Sequence, residues 1–271
     1  MNKRKQTLIL TISIVIILMS IFLAGICMSE ETVAADFANA KLTPSMQHLF
    51  GTDWLGRDLL ARTIKGLSIS MIVGITASAM STVVAVFIGM TSAIGSKKVD
   101  ALINWVIDLV MGVPHLILII LISFACGRGL KGLLIGIAVT HWTNLARIIR
   151  AEVLQLRTEQ YIAVSKKLGR NYGFILRYHI LPHMLPQLMV GLVLMFPHAI
   201  LHEASITFLG YGLSPEQPAI GIILSESMKY LSSGMWWLAF FPGLTLVIIV
   251  FLFDRLGDNL KALVDPYSAQ E

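Results

Sequence analysis

The sequence predicts an all-α, polytopic membrane protein with six transmembrane helices, and three observations carry that prediction. Hydrophobic residues make up 56% of the 271 residues and charged residues only 14%, with a mean hydropathy of +0.76, where a soluble domain carries about 25% charged residues. The apolar residues fall into blocks near the ~20 residues a helix needs to cross hydrocarbon. The blocks are continuous rather than alternating, so they read as helices and not as barrel strands, because hydrocarbon admits only structures that satisfy their own backbone hydrogen bonds.

The first span, 7–28, follows Lys3-Arg4-Lys5. Its apolar run is longer than the ~7–15 residues of a cleaved signal sequence, so it reads as a permanent helix. Residues 1–66 then comprise this helix and an outer loop, and 67–271 a core domain. In the second span, 67–94, Ser70, Gly74, Ser78 and Thr82 form one row and Ala77, Ser81, Ala85 and Gly89 its neighbour. Small residues at fourfold spacing let helices approach closely where no hydrophobic attraction drives them together. The third span, 101–125, contains Asp108 and Pro114: an ionisable group that must face a partner or water, and a proline that kinks the helix. The fourth, 132–147, repeats the small-residue row in Gly132, Gly136 and Thr140. The fifth, 186–208, begins after Pro182 and Pro186, and the sixth is 235–253.

Orientation follows from charge. With the N-terminus inside, fourteen of the 21 Lys and Arg residues fall on inner segments, so both termini are expected in the cytoplasm. The net charge of +5 is explained by that bias and calls for no nucleic acid. Cys27 and Cys126 lack a metal-type spacing and read as packing residues.

Residues 148–185 are too long and too charged for a turn. Within them Tyr161, Val164, Ser165 and Leu168 recur at i, i+3, i+4 and i+7, a short helix with one apolar stripe, and Gly169 follows as a C-cap. Periodicity alone allows this helix to lie on the membrane surface. However, Tyr161-Ile-Ala-Val-Ser-Lys-Lys-Leu-Gly169 resembles the EAA loop of ABC-importer permeases, with Ala163, Val164 and Ser165 at the Glu-Ala-Ala positions, Ala163 in place of the usual Glu and His179 in place of an Ile. Three further stretches narrow the resemblance to the dipeptide, oligopeptide and nickel permeases. They are Gly51-Thr-Asp53-Trp-Leu-Gly56-Arg57-Asp58, Glu203-Ala-Ser-Ile-Thr-Phe-Leu-Gly210, and Phe241-Pro-Gly243 through Asp265-Pro266.

The resemblance implies the type I ABC-importer fold in a bacterial plasma membrane and a coupling role for Tyr161, Ala163, Val164, Ser165, Leu168 and Gly169. It also implies a second, homologous permease forming a heterodimer, two cytoplasmic ATPase subunits that use the ATP, and an extracellular or periplasmic substrate-binding protein. The sequence contains no GxxxxGK[ST] phosphate loop, so this subunit is expected to be non-catalytic, without a cofactor of its own.

The fifth span carries His198 and His202 at i, i+4, on one helix face where neutral imidazoles can ligate a transition metal. Counted from Pro186 at ~1.5 Å per residue they lie ~18 and ~24 Å into the bilayer. Packing histidines that hydrogen-bond between helices are the plain alternative. His202-Glu203 begins a zinc-protease pattern, but Ile206 stands where HExxH needs its second His. His198, His202, Glu203 and Asp108 are the pathway candidates, with His198 and His202 as metal ligands. His202, His198 and His141-Trp142 resemble the nickel branch, which implies nickel or a nickel chelate as cargo and leaves di- or oligopeptides as the alternative. His115, His179 and His183 read as structural or interfacial residues.

Overall fold

A computed structural model describes residues 3–264, and Asp265 and Pro266 of the tail motif lie outside the described residues. These residues form helices, with a lone antiparallel bridge between Thr52 and Asp58. Five helical runs are long and apolar enough to cross a membrane: α1 (Lys3–Cys27), α2 (Leu59–Ile94), α5 (Gly129–Leu156), the run Tyr172–Phe208, and α10 (Trp237–Val264). The expected third span is different. It is two helices, α3 (Lys97–Gly112) and α4 (His115–Ala125), meeting at 99°.

The break follows from one residue. Pro114 has no N–H to continue the hydrogen-bond ladder, and its ring pushes the preceding residue out of the helical region. Val113 accordingly sits at φ −95°, ψ 137°, and Pro114 caps the next helix. A gentle kink was the expectation; the full turn arises because two successive residues leave helical geometry. At 11 residues α4 rises only ~16 Å and cannot cross alone.

Several helices are longer than their hydrophobic blocks suggest, because further turns extend α2 at its start, α10 at its end and α5 at both. α2 starts at Leu59 rather than 67, capped by the Asp58 carboxylate accepting from the Ala61 amide at 2.9 Å. α8 (Leu181–Phe208) is preceded by α7 (Tyr172–Ile175) and a π-helical turn, Leu176–Ile180. The wide turn stands just ahead of Pro182, whose missing N–H would have left an ordinary turn one bond short. The Leu181 amide donates to the Leu176 carbonyl instead.

α2 is the hub, packed on α1, α5 and α8. Its small rows are the reason: Ser70, Gly74, Ala77, Ser78, Ser81, Thr82, Ala85 and Gly89 are all buried. A Cβ on Gly89 would lie 2.7 Å from the Ala146 carbonyl oxygen of α5, and one on Gly74 would lie 2.9 Å from the Phe196 ring of α8. In α5, Gly132 and Gly136 press in the same way on Ser123 and Ile119 of α4. Close approach of backbones replaces the hydrophobic drive that is absent between helices in lipid. A short α9 (Ile220–Leu231) covers the ends of α8 and α10.

Candidate functional site

The break between α3 and α4 places His115 on the first residue of α4. There it meets His141 of α5 and His202 of α8: ring centroids are 4.5 Å apart for His115–His141, and 5.0 Å for each ring to His202. One nitrogen from each of the three lies within 4.8 Å of the others. His115 Nε2 is 3.2 Å from His141 Nδ1, within hydrogen-bond reach.

The tautomer of His141 follows from its surroundings. Its Nδ1 lies 3.1 Å from the Ile137 carbonyl oxygen, which can only accept, so Nδ1 carries the proton. Nε2 is left with its lone pair, buried and without a hydrogen-bond partner. A ring held through one nitrogen by a backbone carbonyl, with the other free, is how metal-ligating histidines are oriented. An unsatisfied buried polar atom is otherwise costly.

The three rings and His198 line a cavity of about 690 Å³ between α3, α4, α5 and α8. Its wall also holds Asn144, Thr143, Met111 and Met195. That volume lies within the ~300–1,000 Å³ of small-molecule sites and far exceeds one ion.

His198 and His202, expected on one face, do share this cavity. Because α8 begins at Leu181, His202 stands ~31 Å along it and ~9 Å from its end at Phe208, further from the helix start than a count from Pro186 gives. The other two pathway candidates do not line the cavity. Glu203 is fully buried away from the cavity, one oxygen accepting from Thr207 Oγ1 at 3.0 Å and the other unpartnered. Its neighbour His202 faces the cavity because adjacent helical residues point about 100° apart. Asp108 is largely exposed and ion-paired with Arg147. His115 and His141 are the residues that spacing could not reveal, lying 26 positions apart and on different helices. The one local signal is that His115 follows Pro114.

At the other end of the molecule lies α6 (Gln160–Lys167). Ile162 and Ser165 are buried beneath it, while Tyr161, Val164 and Leu168 are 42%, 54% and 75% exposed and Ala163 is exposed as well. Ser165 therefore leaves the stripe expected from periodicity and faces inward, 3.4 Å from His179 Nε2. Gly169, at φ +80°, ends the helix: its amide donates to Lys166 O at 3.0 Å and the Arg170 amide to Ser165 O at 3.2 Å. This is the paired bonding of a Schellman cap.

The outer-loop motif is built as structure. Asp53, with no exposure, accepts at Oδ1 from the Leu55 and Arg57 amides (2.8 and 3.0 Å) and at Oδ2 from Arg57 Nε and an Arg62 terminal nitrogen (2.6 and 3.2 Å). Arg62 reaches on to Glu226 of α9 at 2.5 Å, and Trp54 stacks on Tyr230 at 4.7 Å.

An apolar helical bundle with a histidine-lined cavity between its helices, and an exposed amphipathic helix on a basic loop beyond it, has the form of a membrane transport subunit. The chain belongs to the family of binding-protein-dependent transport system inner membrane components, whose profile matches residues 85–266. It is 32% identical over 237 residues to the dipeptide transport system permease protein DppC of Bacillus subtilis (strain 168), covering 88% of this chain and 74% of that one. To the oligopeptide transport system permease protein OppC of the same organism it is 34% identical over 257 residues, covering 95% and 84%. Among solved structures, the inward-facing MetNI methionine ABC transporter superposes with a TM-score of 0.61 at 17% identity, covering 76% of this chain and 98% of that one. That likeness carries the type I ABC-importer fold.

Proposed function

We propose that this ABC-importer permease subunit passes a transition metal, nickel foremost, as a complex with a small chelator. One observation carries the reading: imidazoles from α4, α5 and α8 converge on a cavity in the bundle, with a free, buried nitrogen on His141. Imidazole suits nickel, copper, zinc and iron, and histidines in a membrane interior are functional by default. The volume of about 690 Å³ leaves room for a chelator beside the ion, with Asn144 and Thr143 as hydrogen-bonding groups for its carboxylates.

A second reading is favoured by the relatives, whose names are those of dipeptide and oligopeptide permeases at 32% and 34% identity. The same volume accommodates a short peptide. Uptake separates the two. Cells carrying the transporter should accumulate radioactive nickel, with excess dipeptide a poor competitor; dipeptide uptake without nickel uptake would establish the second reading.

In either case the work is done by partners. A second, related permease completes the pathway, a binding protein delivers cargo from outside, and two cytoplasmic ATPases seat the exposed stripe of Tyr161, Val164 and Leu168. With both termini in the cytoplasm, a Cys placed at Lys166 should be labelled only in opened membranes and one at Asp36 from outside intact cells. Closure of the ATPases would then switch the cavity between outward and inward access.

A further inference from the structure

His115 opens α4, which packs closely on α5 through Ile119 and Ser123, whereas α3, on the other side of the break, is held only weakly by apolar contact. Among its 16 residues only Ile107 is buried, while Leu102, Trp105 and Leu109 are 54–60% exposed. What ties α3 down is a carboxylate at its first turn. Asp100 meets Arg150 of α5 in a two-pronged bond, Oδ1 to Nε at 2.6 Å and Oδ2 to a terminal nitrogen at 2.5 Å. Ser92, at the end of α2, donates to Oδ1 at 2.5 Å and Asn104 at 3.0 Å. The planar fork fixes orientation as well as distance.

Arg150 and His141 are carried on the same helix, nine residues or ~14 Å apart. Asp100 and His115 lie on either side of the Val113–Pro114 break. The ion pair at the inner end and the imidazole pair at the cavity therefore close one loop of structure, with the break as its joint. Arg157, one to two turns beyond Arg150, donates to the Ala93 carbonyl beside Ser92 and lies 6.0 Å over the Tyr172 ring next to the exposed helix α6. The clasp thus stands between the segment that faces the ATPases and the cavity.

We propose that the Asp100–Arg150 pair is a positioning clasp that sets the distance of His115 from His141, so that movement of the inner end opens or closes the histidine cluster. Its consequence for transport rests on the cavity being the cargo site. The geometry does not, and is tested first without cargo.

In the assembled transporter, with Cys27 and Cys126 replaced by Ser, cysteines at positions 115 and 141 are joined by a short bis-methanethiosulfonate cross-linker, each thiol displacing a sulfinate. The cross-linked fraction should fall at least about threefold with Asp100→Ala, and the charge exchange Asp100→Arg with Arg150→Asp should restore it. A control pair at Leu145 and Gly191, where α5 meets α8, should keep its yield throughout. Should the Asp100→Ala complex not be recovered, Asp100→Asn preserves shape and is read in its place. Unchanged cross-linking of positions 115 and 141, failure of the charge exchange, or an equal fall in the control pair would each overturn the clasp. In the parent histidine background, nickel uptake should fall with Asp100→Ala. A transporter that shows the cross-linking result but takes up no nickel even unmutated keeps the clasp and loses the cargo reading.

Discussion

The outer loop and the central cavity are both built from polar residues in an apolar chain, and they are finished in opposite ways. At Asp53 every carboxylate lone pair has a donor and Trp54 stacks on Tyr230 of α9 beside it, with Arg57 Nη2 alone in the group left without a hydrogen bond, 3.8 Å from Glu226. At the histidine cluster the rings touch one another, His141 Nε2 has no partner, and His198 is exposed to the cavity. A satisfied, buried network holds a fold together. A buried imidazole nitrogen left without a partner beside a cavity is a lone pair the chain itself does not use.

The sharpest break of that comparison is Asp53→Ala. It leaves Arg57 and Arg62 with Glu226, 3.8 and 2.5 Å away, as their remaining acid, and the loss approaches at most the about 3–5 kcal/mol of a buried pair deprived of one partner. Recovered complex should drop steeply in denaturant or thermal titration, while uptake per assembled complex stays near parental. Normal stability would show that the outer loop is not the structural pole of the contrast.

Next comes Leu168→Asp in the exposed stripe of α6. A residue that fills a groove in the ATPase should cost upwards of about 2 kcal/mol of docking. The subunit should insert normally but retain less ATPase on purification. Gly169→Val should act in the same direction, since φ +80° costs a side chain ~1–2 kcal/mol and no neighbouring atom is in its way. Parental transport with ATPases bound would assign the stripe to the membrane surface.

The cavity itself is sharpened by replacing His198 and His202 with Leu together, and His141 with Leu separately. Each should reduce nickel uptake at least about tenfold, or ~1.4 kcal/mol, at unchanged complex abundance. A drop in abundance with proportional uptake would make the histidines packing residues after all. The smallest effect is expected for Asp108→Asn: the Asp108–Arg147 pair is 69% and 41% exposed, and such pairs contribute about 0–1 kcal/mol. Uptake and stability should hardly change.

Several of these features were legible in the sequence for a physical reason. Composition and block length demand a helical membrane protein, because hydrocarbon leaves the backbone no other arrangement in continuous apolar runs. Small residues every fourth position, at Ser70 to Thr82 and Ala77 to Gly89, mark the packed face of α2 because contact between helices recurs with the helical period. Gly169 marks the end of α6 because its backbone takes a left-handed turn. His198 and His202 share a face because both lie on one helix.

What only the tertiary structure decided involves residues from different helices. Periodicity along one segment carries no information about which face of another segment it meets. His115 and His141 joined the cavity, and Glu203 and Asp108 fell outside it, through the rotation of α4 and α8 about α5. Pro114 announced a kink, but the meeting of His115 with His141 beyond its 99° turn depends on how α4 packs on α5. Such contacts are fixed by three-dimensional packing and leave no repeat in the chain to read.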